Sequence, residues 1–317
     1  MRIWAINKKI KLDGANIVVG KKKIPIRRVY EVWIGPDSID NRGIYKLLKR
    51  RVMIYLFDKA GLVAFMAPFR TSYGLWTGKT TIAQSKTYED TEKRNKIARE
   101  IVSAIIHNIS SVFYWYIRKK VNAEVREGFY EEIRKAKKCL GDTTDYMLCE
   151  ARAWRALFRV LREIYPDFGG RIRRPPADPV NALISYVNSL LYAQCLHAIL
   201  ICGLDPMISF VHSPSPKRRF SLPLDIKDIF MPFVTIRLVL KLRSMLPDNF
   251  FVFGSYRGRR ACFLGKKARM IVIREFRSLM RKRFRGKRLY NIIVDECEKL
   301  MEYIMGHGEY HAWRIRK

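Results

Sequence analysis

Four side chains in this sequence have the types and order that metal-assisted phosphodiester chemistry needs: Glu150, His212, Asp225 and Asp228. Asp225 and Asp228 stand three apart in SLPLDIKDIF, on one face of a beginning helix. Glu150 falls at the edge of an expected buried stripe of Met147, Ala151, Trp154, Phe158 and Leu161. A carboxylate beside such groups must be paired, protonated or metal-bound, since a lone desolvated charge costs on the order of several kcal/mol or shifts its pKa upward. His212 ends a short apolar segment after the turn Gly203–Pro206, and Ser213-Pro214-Ser215-Pro216 then breaks any helix. Singly, each residue has a plain explanation. Glu150 could pair with Arg152 or a neighbouring helix, the aspartates suit a helix N-terminus, and His212 could be a surface loop residue. Together, three carboxylates and one imidazole form an oxygen-rich site with one nitrogen ligand, which suits Mn²⁺ or Mg²⁺ better than zinc. Such an ion activates an attacking hydroxyl and offsets charge on a phosphate.

Other chemistry is weakly represented. His107 and His197 lie within expected helices as core residues, while His307 and His311 in a polar tail are a lesser metal candidate. The segment TGKTT at 77–81 is only a fragment of a phosphate-binding loop, and no G-x-S-x-G elbow is present, which argues against nucleotide hydrolysis and a serine hydrolase. Cys139, Cys149, Cys195, Cys202, Cys262 and Cys297 show no C-x-x-C pair and read as buried free thiols.

The elements that must position these residues divide into two kinds. Residues 15–19, 29–34, 52–57 and 62–67 are rich in β-branched and aromatic types and predict strands, with a hairpin turn at 58–61 and a short helix at 40–51. Beyond Thr87 the period becomes helical, predicting helices at 88–118, 121–139, 143–165, 179–202, 225–245, 266–284 and 286–305. A small hairpin pairs 250–253 with 261–264 around the basic turn GSYRGRR. In the 179–202 helix, Asp178 caps, Pro179 suits the first turn and Gly203 ends it. Asn181, Ser185, Asn188 and Tyr192 form a polar stripe on that helix, facing either DNA or water. The fold class is α+β: a small N-terminal β-rich domain with linker, 1–87, and a larger all-helical domain, 88–317.

With 62 Lys and Arg against 29 acids, the chain carries a formal charge of +33 and a pI near 10.2. A polyanion is the expected partner, and nucleic acid leads because each neutralised phosphate releases counterions. An anionic membrane is the rival. MRIWAINKKIKLDG is too polar for a signal peptide, and ALISYVNSLLYAQCLHAILICG carries too many polar groups for a span, so a soluble, intracellular protein is expected. KKARMIVIREFRSLMRKRFRGKRLY and the GSYRGRR turn are the segments placed to grip backbone phosphates.

The run from Pro179 to Asp228, with N-A-L-x-S-Y, G-L-D-P, a following His and then S-L-x-L-D, resembles the signature of the CRISPR spacer-acquisition integrases, the Cas-one family. The resemblance covers nearly the whole chain, least before Thr87. It implies Glu150, His212 and Asp225 as metal ligands, Asp228 as a fourth assisting acid, and Asn181 and Tyr192 as supports for the site or the DNA. It further implies attack by 3′-hydroxyl ends of a short duplex on repeat-array DNA, a homodimer formed through the β-rich domains, a small ferredoxin-like adaptation partner and a cytoplasmic location. Three positions depart from the family pattern: Ala151 for Gly after the Glu, Ser209 for Gly, and Met231 for Arg in F-R-P, with Arg237 the nearest candidate to replace that cation. The alternatives are a transposon-encoded integrase with the same core and a catalytically silent DNA-binding scaffold.

Overall fold

Strand alternation sends Trp4, Trp33, Tyr55 and Phe57 to one side of a sheet and Ile3, Val32, Ile34 and Ile54 to the other, and the molecule is organised about that division. The chain, a computed structural model, describes residues 1–68, 78–173, 175–212, 220–256 and 258–316. Its N-terminal part forms β1 (Arg2–Ala5), β2 (Ile10–Asp13), β3 (Asn16–Val19), β4 (Lys22–Pro25), β5 (Glu31–Ile34), α1 (Asn41–Lys49), β6 (Met53–Phe57) and β7 (Leu62–Met66). One sheet has the order β1-β5-β6-β7, parallel except for the β6/β7 hairpin, and β2-β3-β4 is a separate meander. The meander and α1 cover one face of the main sheet. The aromatic face joins the helices in a single continuous core.

β1, β2 and β4 were not among the expected strands. Each is a four-residue run, two of them lysine-bearing, and only pairing in the sheet makes such short alternations persist. The expected turn at 58–61 is present, with Asp58 accepting from the amides of Ala60 and Gly61. Gly61 has φ +129°, and a Cβ there would lie 2.4 Å from Ser189, so only glycine lets this hairpin approach the helices.

The helical part comprises α2 (Gly78–Glu89), α3 (Thr91–Val112), α4 (Ala123–Asp142), α5 (Tyr146–Ile164), α6 (Pro179–Ile201), α7 (Leu222–Met231), α8 (Arg237–Met245), α9 (Lys266–Arg281) and α10 (Leu289–Ile304). Helices therefore begin at Gly78, ahead of Thr87. Thr77 lies outside the described residues, and the rest of the TGKTT segment is helix rather than a phosphate loop. The single helix expected over 88–118 is two, because the Asp90 side chain accepts from the Lys93 amide and caps α3. A π-turn at Phe113–Ile117 ends it. The helix expected at 225–245 starts at Leu222 and passes through a second π-turn at Pro232–Ile236, where proline removes an amide donor.

The late hairpin is longer than expected. β8 (Phe251–Tyr256) and β9 (Arg259–Leu264) absorb most of GSYRGRR, and Arg257 lies outside the described residues. Between α9 and α10 a tight pair, β10 (Arg283–Phe284) and β11 (Lys287–Arg288), replaces helix. Two of the six cysteines depart from the free-thiol expectation: Cys139 near the end of α4 and Cys149 in α5 form a disulfide across the interhelical corner, their Cα atoms 5.5 Å apart. α6 is long and apolar enough to cross a membrane by length and composition, and most of it is buried inside the fold.

Two long-range ties fix the architecture. In register on the aromatic face, Arg2 and Glu31 form an ion pair excluded from water. Glu31 Oε2 lies 2.8 Å from His197 Nδ1 on α6, and the Arg2 guanidinium stands 4.7 Å from the Tyr290 ring of α10. Burial, then the charge of Arg2, holds His197 well below the usual imidazole range, and its Nδ1 is hydrogen-bonded to the Tyr55 hydroxyl at 3.1 Å. The second tie is a C-terminal strap: Ile315 N donates to Asn108 Oδ1 on α3, Asn108 Nδ2 donates to Ile229 O on α7, and Trp313 stacks on Phe230 at 4.8 Å.

Glu31→Ala is expected to cost roughly 3–5 kcal/mol in urea unfolding, because it strands the Arg2 charge between sheet and helices. An unchanged midpoint would show that the pair does not hold the two layers together.

Candidate active site

α5 starts at Asp145, whose side chain accepts from Leu148 N at 3.2 Å. The helix packs against α3 and α4, and its buried face runs through Cys149, Glu150, Ala153, Leu157 and Val160. Met147 is 41% exposed and Ala151 is exposed, so the face is rotated by about one position from the expected stripe. That rotation moves Glu150 from the edge to the interior, where it is 8% exposed. Its carboxylate accepts from Trp154 Nε1 at 2.9 Å. The anticipated pairing with Arg152 is absent, and among the described residues no other cation is within ion-pair distance. Burial, and after it the negative charge of Asp228, pushes the Glu150 pKa up to about 7 against opposing contributions from His212, the Trp154 bond and Lys227.

The polar stripe of α6, buried at Asn181 and Tyr192 and half-buried at Ser185 and Asn188, fastens the neighbouring segments. Asn181 Nδ2 donates to Asp178 at 2.6 Å and to Gly170 O at 2.7 Å, while Asn181 Oδ1 accepts from the Ile172 amide and from Arg171. Arg171 also donates to Ser185. Asn188 accepts from Thr235 Oγ1 at 2.6 Å and contacts the Met231 sulfur at 3.5 Å. Tyr192 donates to Phe220 O at 3.0 Å, tying α6 to the segment that enters α7.

Gly203, with φ +74°, turns the chain out of α6. Gln84 on α2 then clamps the loop: it accepts from Asp205 N at 2.8 Å and donates to the Asp205 and Ile208 carbonyls. Ser221 Oγ donates to Met207 O. The loop's far end is held by Asp225 in the first turn of α7. Asp225 Oδ2 accepts from the amides of Phe210 (2.8 Å) and Val211 (2.9 Å), and Oδ1 from the amide (3.1 Å) and Nδ1 (2.8 Å) of His212. A carboxylate offers about four lone-pair sites, so Asp225 is saturated by protein donors. His212 is thereby a half-covered residue of fixed orientation, not the surface loop histidine that was the simplest expectation. The breaker Ser213–Pro216 and Lys217–Arg219 lie outside the described residues. Burial lowers the His212 pKa, but the Asp225 bond and the charges of Asp225, Asp228 and Glu150 outweigh it and raise it overall.

One turn beyond Asp225, Asp228 is buried and accepts from the ammonium of Lys227, itself buried. Lys227, Trp154 and Gln84 were missed in the sequence. A lysine between two acids in an otherwise apolar helix, DIKDIF, was the available signal for the first; nothing local marked the others. Arg237 does not make good the cation missing at Met231: its guanidinium stands over Tyr116 and Phe233. His307 and His311 form no metal-ligand cluster, and among the described residues no group of three or more His, Cys, Asp or Glu is placed so that it could hold a metal ion as it stands. Glu150, Asp228 and His212 lie near enough for their charges to act on one another, and the His212 Nδ1 is taken by Asp225. Oxygen and imidazole donors of these types are the kind a hard divalent cation takes.

The family model for CRISPR associated protein Cas1 matches residues 3–278. The chain is 28% identical over 309 residues to the CRISPR-associated endonuclease Cas1 of Methanocaldococcus jannaschii, covering 93% of this chain and 91% of the relative. It is similar in structure to a CAS1 protein from Thermotoga maritima, with TM-score 0.80, 25% identity and coverage of 99% and 100% of the two chains. A Cas6-RT-Cas1–Cas2 complex (TM-score 0.84, 17% identity, 100% of this chain and 36% of that one) and a casposase bound to integration product (0.76, 20%, 98% and 92%) share the fold.

A raised carboxyl pKa stabilises the fold below the ordinary glutamate range, and that stabilisation is lost as pH rises through about 7. Glu150→Gln is therefore expected to stabilise the metal-free protein by about 1–3 kcal/mol above that pH. Thermal melts in EDTA across pH 5 to 8, in round figures, check it: a gap between variant and wild type that fails to widen with pH would refute the assignment of Glu150 as a desolvated acid.

Proposed function

We propose that this chain, which belongs to the CRISPR-associated Cas1 family, is a CRISPR adaptation nuclease and integrase. It inserts short DNA duplexes into a repeat array by 3′-hydroxyl attack on phosphodiester bonds, and nicks DNA hydrolytically at the same site. The observation that carries this reading is the buried carboxylate Glu150, without an ion-pair partner among the described residues and under the charges of Asp228 and His212, in a chain with a charge of +33.

Glu150, Asp228 and His212 Nε2 fit Mg²⁺ or Mn²⁺. When bound, the ion supplies activation of the attacking hydroxyl and neutralisation of charge on the phosphate and leaving oxygen. Asp225, expected as a ligand, is better suited to positioning because its acceptor capacity is spent; it holds His212 in the tautomer that leaves Nε2 free. The Trp154 N–H aligns Glu150, and the α6 amides and hydroxyls keep α7 at a set distance from α5.

Basic surface for the DNA backbone is plentiful. A cleft of about 380 Å³ is lined by Lys120, Arg237, Lys241 and Lys282, and α9 exposes Lys266, Lys267, Arg274 and Arg281. Double-stranded DNA, a second copy of the chain joined through the β-rich part, and a small ferredoxin-like adaptation protein complete the proposed assembly, which acts in the cytoplasm.

The test is strand transfer into supercoiled repeat-containing DNA with Mg²⁺ or Mn²⁺, with and without the small partner. Glu150→Ala and His212→Ala are each expected to reduce integration by at least about a thousandfold while duplex binding changes little, and EDTA should stop the wild-type reaction. Undiminished integration by either variant would refute the site.

A further inference from the structure

Asn108 is fully buried in α3, and its neighbours one turn away on that helix, Ile101, Ala104, Ile105 and Val112, are apolar. A primary amide persists in such surroundings only where its polar atoms are met. Asn108 meets them on two other segments: Nδ2 donates to Trp313 O at 3.1 Å and to Ile229 O at 2.9 Å, and Oδ1 accepts from Ile315 N at 2.8 Å. Two of these bonds hold the C-terminal strap. The third goes to the residue that directly follows Asp228 in α7.

The end of α7 needs support that an unbroken helix does not. Pro232 has no amide to give the Asp228 carbonyl four residues back, and from Pro232 to Ile236 the chain takes the wider i→i+5 register of a π-turn, a feature frequent at functional sites. Three other elements grip this junction. Asn108 on α3 takes the Ile229 carbonyl, and Asn188 on α6 accepts from Thr235 Oγ1 at 2.6 Å. From the strap, the Trp313 ring lies 4.8 Å from Phe230 in α7 and 5.8 Å from Phe233 in the π-turn, so it spans the break.

We propose that Asn108 is a positioning residue for the reaction: its bond to the Ile229 carbonyl fixes the α7 end of the π-turn and, through the adjoining peptide, the place of Asp228. This rests on the reading of Asp228 as an acid of the reacting site. Asn108 itself acts through backbone and strap, one residue away from that acid. Without its N–H the buried Ile229 carbonyl loses a donor, and the junction regains one by shifting the end of α7. A displacement of about 1 Å in a reacting group slows chemistry on the order of a hundredfold.

Strand transfer by the full chain, titrated with duplex at a temperature where each variant is folded, separates positioning from bulk stability. Asn108→Leu is expected to lower kcat about tenfold to a hundredfold with KM for the duplex unchanged. Asn108→Ser, whose hydroxyl stops short of Ile229, carries the same expectation should the Leu variant fold poorly. Ser38→Ala is the control for stability. The Ser38 hydroxyl, buried in the N-terminal part, donates to Ala5 O at 2.8 Å and accepts from Gly35 N at 2.9 Å, so its loss should lower the melting temperature and leave kcat as it is. An unchanged kcat in the Asn108 variants, or an equal fall in Ser38→Ala, overturns the proposal. Undiminished strand transfer by Asp228→Asn instead overturns the reading of the site on which it rests.

Discussion

Asp225 gathers three backbone amides and one imidazole onto a single carboxylate, and the placement of His212 and of the loop before it follows from that concentration of donors. The stretch from Gly203 to His212 has no ladder of its own, and its last amides would be buried without partners. Receiving them at the N-terminus of α7 satisfies the loop and gives the acid a favourable place in the helix dipole. The same bond that closes the loop also aims His212. Asp228 then follows one turn later on the same helix, so the imidazole and the second acid are set by one local geometry. Glu150 arrives from α5, and the Asn188–Thr235 bond and Tyr192 hold α6 between the two contributing helices.

The acids buried in this basic chain are answered in different ways, and the contrast identifies the one that differs. Glu31 has Arg2; Asp178 has Asn181; Glu296 takes the Tyr310 hydroxyl, the Trp313 amide and the nearby Lys299. Glu150 has one indole N–H and a second acid as its strongest charged neighbour. A fold optimised for stability alone would not leave a carboxylate so poorly compensated, and uncompensated polar groups of this kind concentrate where chemistry is done.

Much of this was legible in the residues themselves. The strand-then-helix order and the caps Asp178 and Gly203 follow from period and turn chemistry, whereas the grouping of Glu150, His212, Asp225 and Asp228 became specific only through the resemblance of the run from Pro179 to Asp228 to a known signature. The division of labour between Asp225 and Asp228 followed from neither. Two acids three apart look equivalent in sequence, and only the loop folding back onto the first of them fills its acceptor sites with protein donors. The face of α5 was misjudged by one position because tertiary packing against α3 and α4, rather than its own apolar pattern, chose which side to bury. The disulfide escaped notice since its partners meet only after an interhelical turn brings them together. Likewise, the polar stripe of α6 looks solvent-facing in a helical projection, yet its partners lie in distant segments.

The strap that lays Trp313 over Phe230 also bears on the order in which the chain leaves the ribosome. Synthesis delivers α3 first, then α7, and only much later the residues that join them. Until Ile315 reaches Asn108 and Trp313 covers Phe230, the helix carrying Asp225 and Asp228 has its outer side bare, however complete the loop on its inner side. A nascent chain therefore carries α7 without the Trp313 stacking and the Ile315–Asn108 bond until its last residues are made, and the final packing around Phe230 belongs only to molecules whose strap has docked.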